Sequence, residues 1–312
     1  RVYMIGQALG GPDYIHWVRD EAALLQALID WFSLWDPDII IGWSVVNFDL
    51  ALLSRRYVHH GIEARLGRGG VPMSWLVEGK YRPETLSLPG RVVLDGIDWL
   101  KAAFYQFERY SLEFVSRALL SEGKAIDKVE DHGQEINQLF QEDKLALAHY
   151  NLTDCRLVLD IFDKTDLLNF ALARAQLTGL EFGRVGASVA AFNHLSLPHL
   201  HRAGFVAPAA PASDGLESPG GYVMDSIPGL YRDILVLDFK SLYPSIIRTF
   251  LIDPMGLVLG MGEPEAETVP GFLGARFSRK QPILPTLIAK LAQERESAKA
   301  QANAPLSQAI KI

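Results

Sequence analysis

The chain of 312 residues contains one cysteine, Cys155. An internal disulfide is therefore excluded, and with it the disulfide-stapled secreted scaffolds. That scarcity suits a reducing compartment, and Cys155, set within a helical pattern, is expected to be a small buried core residue. Apolar runs are short, and none approaches the roughly 18 residues that a membrane-spanning helix needs. The opening Arg1-Val2-Tyr3-Met4-Ile5-Gly6 lacks an initiator Met and is unlike a signal peptide. The final Gln308-Ala309-Ile310-Lys311-Ile312 stops inside a helical pattern without a cap. Both ends are expected to be cut edges of something longer. An excess of basic charge is missing too: 30 Lys and Arg against 37 Asp and Glu leave a net charge of −7. This argues mildly against a generic nucleic-acid binder. It leaves room for an enzyme that holds catalytic cations with carboxylates beside a local basic groove. There is no internal repeat and no coiled coil.

What is present is enough apolar residue, 49% of the chain, to bury more than one core, and by length two domains are expected. Leu24, Leu25, Leu28, Trp31, Phe32 and Trp35 form a helical stripe, which Asp36-Pro37 ends. Asp38-Ile39-Ile40-Ile41-Gly42-Trp43 is an apolar run suited to a covered parallel strand. Asn47-Phe48-Asp49-Leu50 then opens another helix. This helix–strand–helix order predicts an α/β first domain. Further along come a strand at Arg91 to Leu94, a helix capped by Ser111 and a long helix from about Glu142 to Phe162. A Pro/Ala/Ser/Gly-rich boundary covers Ala207 to Gly221. Ile234-Leu235-Val236-Leu237 is expected to be a buried strand ending in Asp238. A helix over Leu284 to Gln301 is followed by a turn at Asn303-Ala304-Pro305 and a second helix.

Three groups of residues carry chemistry. The first is Asp238-Phe239-Lys240-Ser241-Leu242-Tyr243-Pro244-Ser245-Ile246-Ile247-Arg248. A carboxylate ending a strand before a polar turn offers a hard oxygen ligand to a cation carrying a triphosphate. Backbone amides of the turn can meet phosphate oxygens, and Tyr243 can lie flat under a sugar. The plainer alternative for Asp238 alone is the end of an ordinary β-to-α turn. The second group is Arg295 and Lys299, four apart on one helical face, with Lys311 on the next helix. Converging cations suit a phosphate tail, although Glu294 and Glu296 alongside also fit a solvated charged face. The third group is acidic: Asp49 after a parallel strand, with Tyr150 and Asp154 one helical turn apart. A carboxylate that holds a metal and a phenol that orients water serve phosphodiester hydrolysis. Taken singly, each of these is more often a helix N-cap or a surface residue. His194, His199 and His201 lie close in sequence, but their spacing fits no zinc pattern. His59 and His60 beside Gly61 read as a helix C-terminus.

The whole string from Asp238 to Arg248 resembles motif A of the family B DNA polymerases, and the likeness extends from about Val2 to Ile312. It implies that Asp238 is a metal ligand with the Phe239 carbonyl assisting. The amides around Ser241 and Leu242 would hold the triphosphate, and Tyr243 would exclude a 2′-hydroxyl. Arg295 and Lys299 match the fingers helix, and Lys311 matches the first residue of motif B. Ser218-Pro219-Gly220-Gly221-Tyr222-Val223 resembles the family's linker between exonuclease and palm. Asp49, and Tyr150 with Asp154, resemble the second and third exonuclease motifs, so that Asp49 and Asp154 would be metal ligands there. Ser111 to Lys124 resembles the helix between those motifs. Two departures stand out. Ser44 occupies a position where the family often has Asn. The first exonuclease motif, an Asp-x-Glu on a strand, is absent and would precede Arg1. Asp95 and Asp98 are expected to be structural.

The resemblance thus implies an incomplete RNase H-like 3′–5′ exonuclease domain over 1–170 and a helical connector over 171–217. The start of an α+β palm over 218–282 and of a helical fingers hairpin over 283–312 would follow. The parent would extend a DNA primer on its template with deoxynucleoside triphosphates and proofread the product. It would use two Mg2+ ions in each active site. A role in repair, a sliding-clamp partner and a bacterial cytoplasmic location are implied by kinship alone. Motif C would lie beyond Ile312, so the chain by itself is expected to be inactive. A stand-alone RNase H-like nuclease and a non-catalytic nucleic-acid-binding module are the alternatives.

Overall fold

The computed structural model describes residues 1–76, 85–121, 132–209 and 223–311. The linker residues 218–222 and the helix end at 122–124 lie outside them. Two compact units are present, one of residues 1–176 with 180–187, the other of residues 177–179 with 188–311.

The first unit is mixed α/β. Strands β1 (Val2–Ile5) and β2 (Ile15–Val18) pair in parallel. Helix α1 (Glu21–Trp35) starts at Asp20, whose carboxylate accepts from the Ala23 amide at 2.8 Å. It buries Leu25, Ile29 and Phe32 and ends at a left-handed Asp36 before Pro37, as the sequence predicts. Then come β3 (Ile39–Gly42), a π-helical turn over Val45–Leu50 and α2 (Ala51–His59). The antiparallel pair β4 (Ser74–Leu76) and β5 (Thr85–Ser87) precedes β6 (Val92–Asp95). Strand β6 runs parallel to β3 with Asp95 opposite Gly42. Helices α3 (Gly96–Ala102), α4 (Leu112–Leu120), α5 (His132–Glu142), α6 (Lys144–Thr165) and α7 (Leu167–Thr178) complete the unit. Ser111 caps α4 by accepting from Phe114, and His60 closes α2, both as expected. Strand β3 is less covered than its apolar run suggests: Ile39 is exposed, because β6 is its one strand neighbour among the described residues.

One buried cation ties α1 to β6. The Arg91 guanidinium, 1% exposed, pairs with Asp36 at 2.9 Å. It also donates to the Phe32 carbonyl at 3.1 Å, the Leu66 carbonyl at 2.8 Å and the Pro37 carbonyl. Helix ends leave carbonyls without intrahelical partners and carry partial negative charge. Arg91 meets the second demand with its positive charge and adds a donor to the Phe32 carbonyl, which already accepts from the Asp36 amide, while standing over the Phe32 ring. At the other end of α1, Glu21 meets Arg56 and His60 of the α2 terminus. The Arg56 hydrogen bond, followed by that of His60, lowers the Glu21 carboxyl from 4.5 to about 2.

The second unit is mainly helical: α8 (Ser188–Arg202), α9 (Leu242–Thr249), α10 (Pro254–Gly260), the antiparallel pair β7 (Thr268–Pro270) and β8 (Arg276–Ser278), α11 (Ile283–Ala300) and α12 (Ala304–Lys311). Helices α11 and α12 pack as the expected hairpin. Its turn passes through left-handed Ala302, and Asn303 caps α12 by accepting from Leu306 at 3.1 Å. Buried Ala298 and Ala309 let the two helices approach closely.

Two expectations fail here. Ile234-Leu235-Val236-Leu237 is no strand and is not buried; Val236 and Leu237 are 87% and 82% exposed. An apolar run with β-branched Ile and Val becomes a strand only with a ladder to join. The two strands described in this unit pair with each other instead. One stretch, Leu242–Gly260, does have the length and apolarity of a membrane span, contrary to the reading that none does. It is folded as two helices, α9 and α10, divided at the buried Asp253 and the exposed Pro254 that follows it.

Replacing Arg91 with Met should destabilise the first unit by about 3 kcal/mol, because the Leu66 and Pro37 carbonyls lose their donor, while Asp36 keeps its ion pair with Arg68. Urea denaturation checks it. The Glu21 contribution is complete above pH 4.5 and disappears as pH falls toward 2, since a carboxyl lowered by folding stabilises only while ionised. Glu21→Gln should therefore flatten the stability profile between pH 5 and pH 2, as read from unfolding midpoints across that range.

Candidate functional site

In the first unit the candidate residues gather where β3 and β6 end. Beyond Gly42 the chain passes Trp43 and a left-handed Ser44 into the π-helical turn that carries Asn47, Phe48 and Asp49. Such turns often mark functional positions. Two glycines make the geometry possible. A Cβ on Gly42 would lie 2.5 Å from the Val45 Cβ, and one on Gly96 would lie 2.9 Å from the Trp43 ring. The indole therefore lies against the start of α3 and donates to the Tyr110 carbonyl at 2.9 Å. Asp49 is exposed by area, yet neighbouring protein atoms and then the Asp95 charge push its carboxyl up. Asp95 is buried and caps α3 by accepting from Ile97 at 3.0 Å, which fits its expected structural role. Burial and the Asp98 charge raise it, while the amides of Ile97, Asp98 and Ser44 offset part of that rise.

Helix α6 packs against β1, β3, α4 and α5 and presents Tyr150 and Asp154, the first buried and the second half-buried. Cys155 corrects a prediction: it is exposed rather than part of the core. Helix α6 buries Leu157, Val158, Ile161 and Phe162, and that stripe turns the next position N-terminal to Arg156 outward. The Cys155 thiol is pushed up by crowding, by Asp154 and more weakly by Asp49. Both acidic candidates thus lie within electrostatic range of one sulfur, although they are about a hundred residues apart in the chain.

In the second unit Asp238 and Phe239 are exposed. Ser241 adopts a left-handed conformation as the residue preceding α9 and makes no side-chain cap. The first amides of a helix have no intrahelical acceptor, so those of Leu242 and Tyr243 stand at the N-terminus of α9, where Tyr243 is 78% exposed. The Ser245 hydroxyl donates back to the Lys240 carbonyl at 3.1 Å and fixes the turn. Helix α9 packs on α11. There the Lys240 ammonium lies 4.0 Å from Glu296, which also pairs with Lys299 at 2.9 Å. Lys299 first, then Lys240, holds the Glu296 carboxyl below its usual range. The Arg295 Nε is buried and has no partner among the described residues. Lys311 is exposed at the end of α12.

The fold therefore brings the turn after Asp238 to the helix bearing Arg295 and Lys299. Sequence reasoning overlooked Lys240 and Glu296 as the link between them. It also overlooked Asp253, whose Asp-Pro pairing is a readable helix-start signal. Among the described residues no three His, Cys, Asp or Glu side chains come together closely enough to hold a metal.

Comparison with known proteins agrees with this division. The family described as "DNA polymerase family B, exonuclease domain" matches residues 6–115, and "DNA polymerase family B" matches residues 186–311. DNA polymerase II of Escherichia coli (strain K12) is 49% identical over 317 residues, covering all of this chain and 40% of that protein. The DNA-directed DNA polymerase of Escherichia phage RB69 is 27% identical, over 75% of this chain and 26% of its own length. The DNA polymerase delta catalytic subunit of Bos taurus is 29% identical, over 90% and 27%. The chain thus spans less than half the length of these relatives. An exonuclease domain and part of a polymerase domain follow one another in it, and the chain belongs to the family B DNA polymerases.

Proposed function

We propose that the chain is the exonuclease-to-fingers segment of a proofreading, DNA-directed DNA polymerase that extends a primer with deoxynucleoside triphosphates. The observation that carries this reading is the packing of α9 on α11 with Lys240 beside Glu296. It puts the Asp238 turn and the Arg295 and Lys299 helix in one unit. In this reading the Leu242 and Tyr243 amides and the two α11 cations bind the triphosphate tail, and the Tyr243 ring lies against the sugar. Residues 1–170 are the exonuclease domain, RNase H-like in fold. Residues 171–217 connect it to a palm that begins at 218 and to fingers that begin at 283. DNA polymerase II of Escherichia coli as a relative supports a bacterial cytoplasmic setting, with a sliding clamp as partner.

The carboxylates of Asp238, Asp49 and Asp154 and the Phe239 carbonyl are hard oxygen donors, the chemistry that a divalent cation such as Mg2+ takes. When bound, a pair of such ions neutralises charge that develops on the transferred phosphoryl group. The described residues do not complete a three-ligand set, so the chain's own contribution is to position substrate and to offer part of each ligand set. In the exonuclease half, Asp49 and Asp154 provide the carboxylates, and Tyr150 would orient the attacking water.

The isolated chain should neither extend a primer nor digest a labelled single strand; robust activity in either assay contradicts this reading. In the complete polymerase, Asp238→Asn should lower primer extension by about 10³-fold while digestion persists. Asp49→Asn should do the reverse, because transition-state charge stabilisation is lost separately at each site. Steady-state rates on matched and frayed primer ends measure both.

A further inference from the structure

Asp253 performs a task that neither neighbouring helix requires by itself. It is 2% exposed. One carboxylate oxygen accepts from the Gly256 amide at 2.8 Å and caps α10, the usual service of an Asp before Pro. The other accepts from the Leu284 amide at 3.0 Å, the second residue of α11 and 31 positions away. Helix α11 has Pro282 at its own N-cap position and no side-chain cap of its own. Its N-terminus therefore takes a cap, and its complementary negative charge, from a distant residue. Asp253 also follows α9 by a short link through left-handed Leu251, so the segment that carries Ser241 to Tyr243 leads directly into it.

We infer that Asp253 is a positioning residue for nucleotide binding. By fastening the base of α11 to the α9–α10 junction, it sets how far Arg295 and Lys299 stand from the Asp238 turn. This rests on the reading of α11 as the helix that holds the triphosphate. A helix advances about 1.5 Å per residue, so Arg295 lies about 17 Å beyond the Leu284 anchor, and a small tilt at the base becomes a displacement of ångströms at the cation. Besides the packing of α9 on α11, the other polar link between the same parts, Lys240 with Glu296, is an exposed ion pair near the far end, the kind that contributes little. The buried carboxylate is thus the stronger of these two polar fastenings.

Asp253→Ser separates the two duties. A serine hydroxyl still caps α10 through Gly256 but has no second oxygen for Leu284, so the variant should fold. A first-turn amide has no acceptor in its own helix, so protection of Leu284 against hydrogen exchange in this chain reports on Asp253 directly. Exchange there should quicken by about tenfold or more, with Gly256 still protected. In the complete polymerase, the KM for the incoming nucleotide should rise by about fivefold with kcat little changed, the pattern of lost ground-state positioning. Unchanged protection of Leu284 overturns the inference. So does faster exchange with an unaltered KM while Arg295→Ala raises KM. Unaltered KM in both variants overturns the phosphate-binding reading of α11, and this inference with it.

Discussion

The backbone groups left without partners where helices and strands end are the constraint on which both units depend. An α-helix cannot satisfy its first amides or last carbonyls internally, and burying such groups unpaired costs more than a typical hydrogen bond returns. In the first unit Arg91 takes up the Leu66 and Pro37 carbonyls, adds a donor to the Phe32 carbonyl near the end of α1 and binds that helix to the start of β6. In the second, Asp253 takes up amides of two helices with one carboxylate. Some of the functional candidates stand at ends of the same kind, Asp49 beyond β3 and Asp238 and Tyr243 around the start of α9, whereas Tyr150, Asp154 and Arg295 project from within helices. Element ends are where backbone groups and side chains face outward together. That coincidence lets a stabilising framework also present chemistry.

The two units express this differently. In the first, acidic groups act on one another weakly and from a distance: the Asp49 carboxyl is raised chiefly by burial and in part by Asp95, and the Cys155 thiol by burial, then Asp154, then Asp49. In the second, cations and carboxylates alternate. Glu296 stands between Lys299 and Lys240, while Arg295 keeps a buried nitrogen in reserve. Exposed pairs of this kind contribute little stability by themselves.

Much of the architecture was legible along the chain because its signals are local. The α1 stripe with its Asp36-Pro37 stop, the Ser111 cap, the parallel pairing expected of the Ile39 run and the α11–α12 hairpin all follow from periodicity and end chemistry over a few residues. Where the reading failed, the deciding partner was remote. Ile234 to Leu237 has strand composition, but no described strand lies beside it, so its apolar side chains stay exposed. Cys155 sits in an apolar helical context, yet the buried stripe of α6 passes on another side. Leu242 to Gly260 is apolar enough to span a membrane, yet Asp253 and Pro254 divide it.

The sequence by itself determined which residue types are available and the local elements that carry them. The Asp238 to Arg248 string, the four-residue spacing of Arg295 and Lys299, and the pairing of Tyr150 with Asp154 on one turn of α6 are properties of short stretches. Only the tertiary structure decided which of these meet. Asp49 and Asp154 come within range of one thiol, Lys240 reaches Glu296, and the second oxygen of Asp253 finds an amide on a helix 31 residues further on. The physical reason is range. Propensity, capping and turn chemistry act over a few bonds, whereas a shared carboxylate or a salt bridge depends on where separate elements come to rest once their apolar faces are buried.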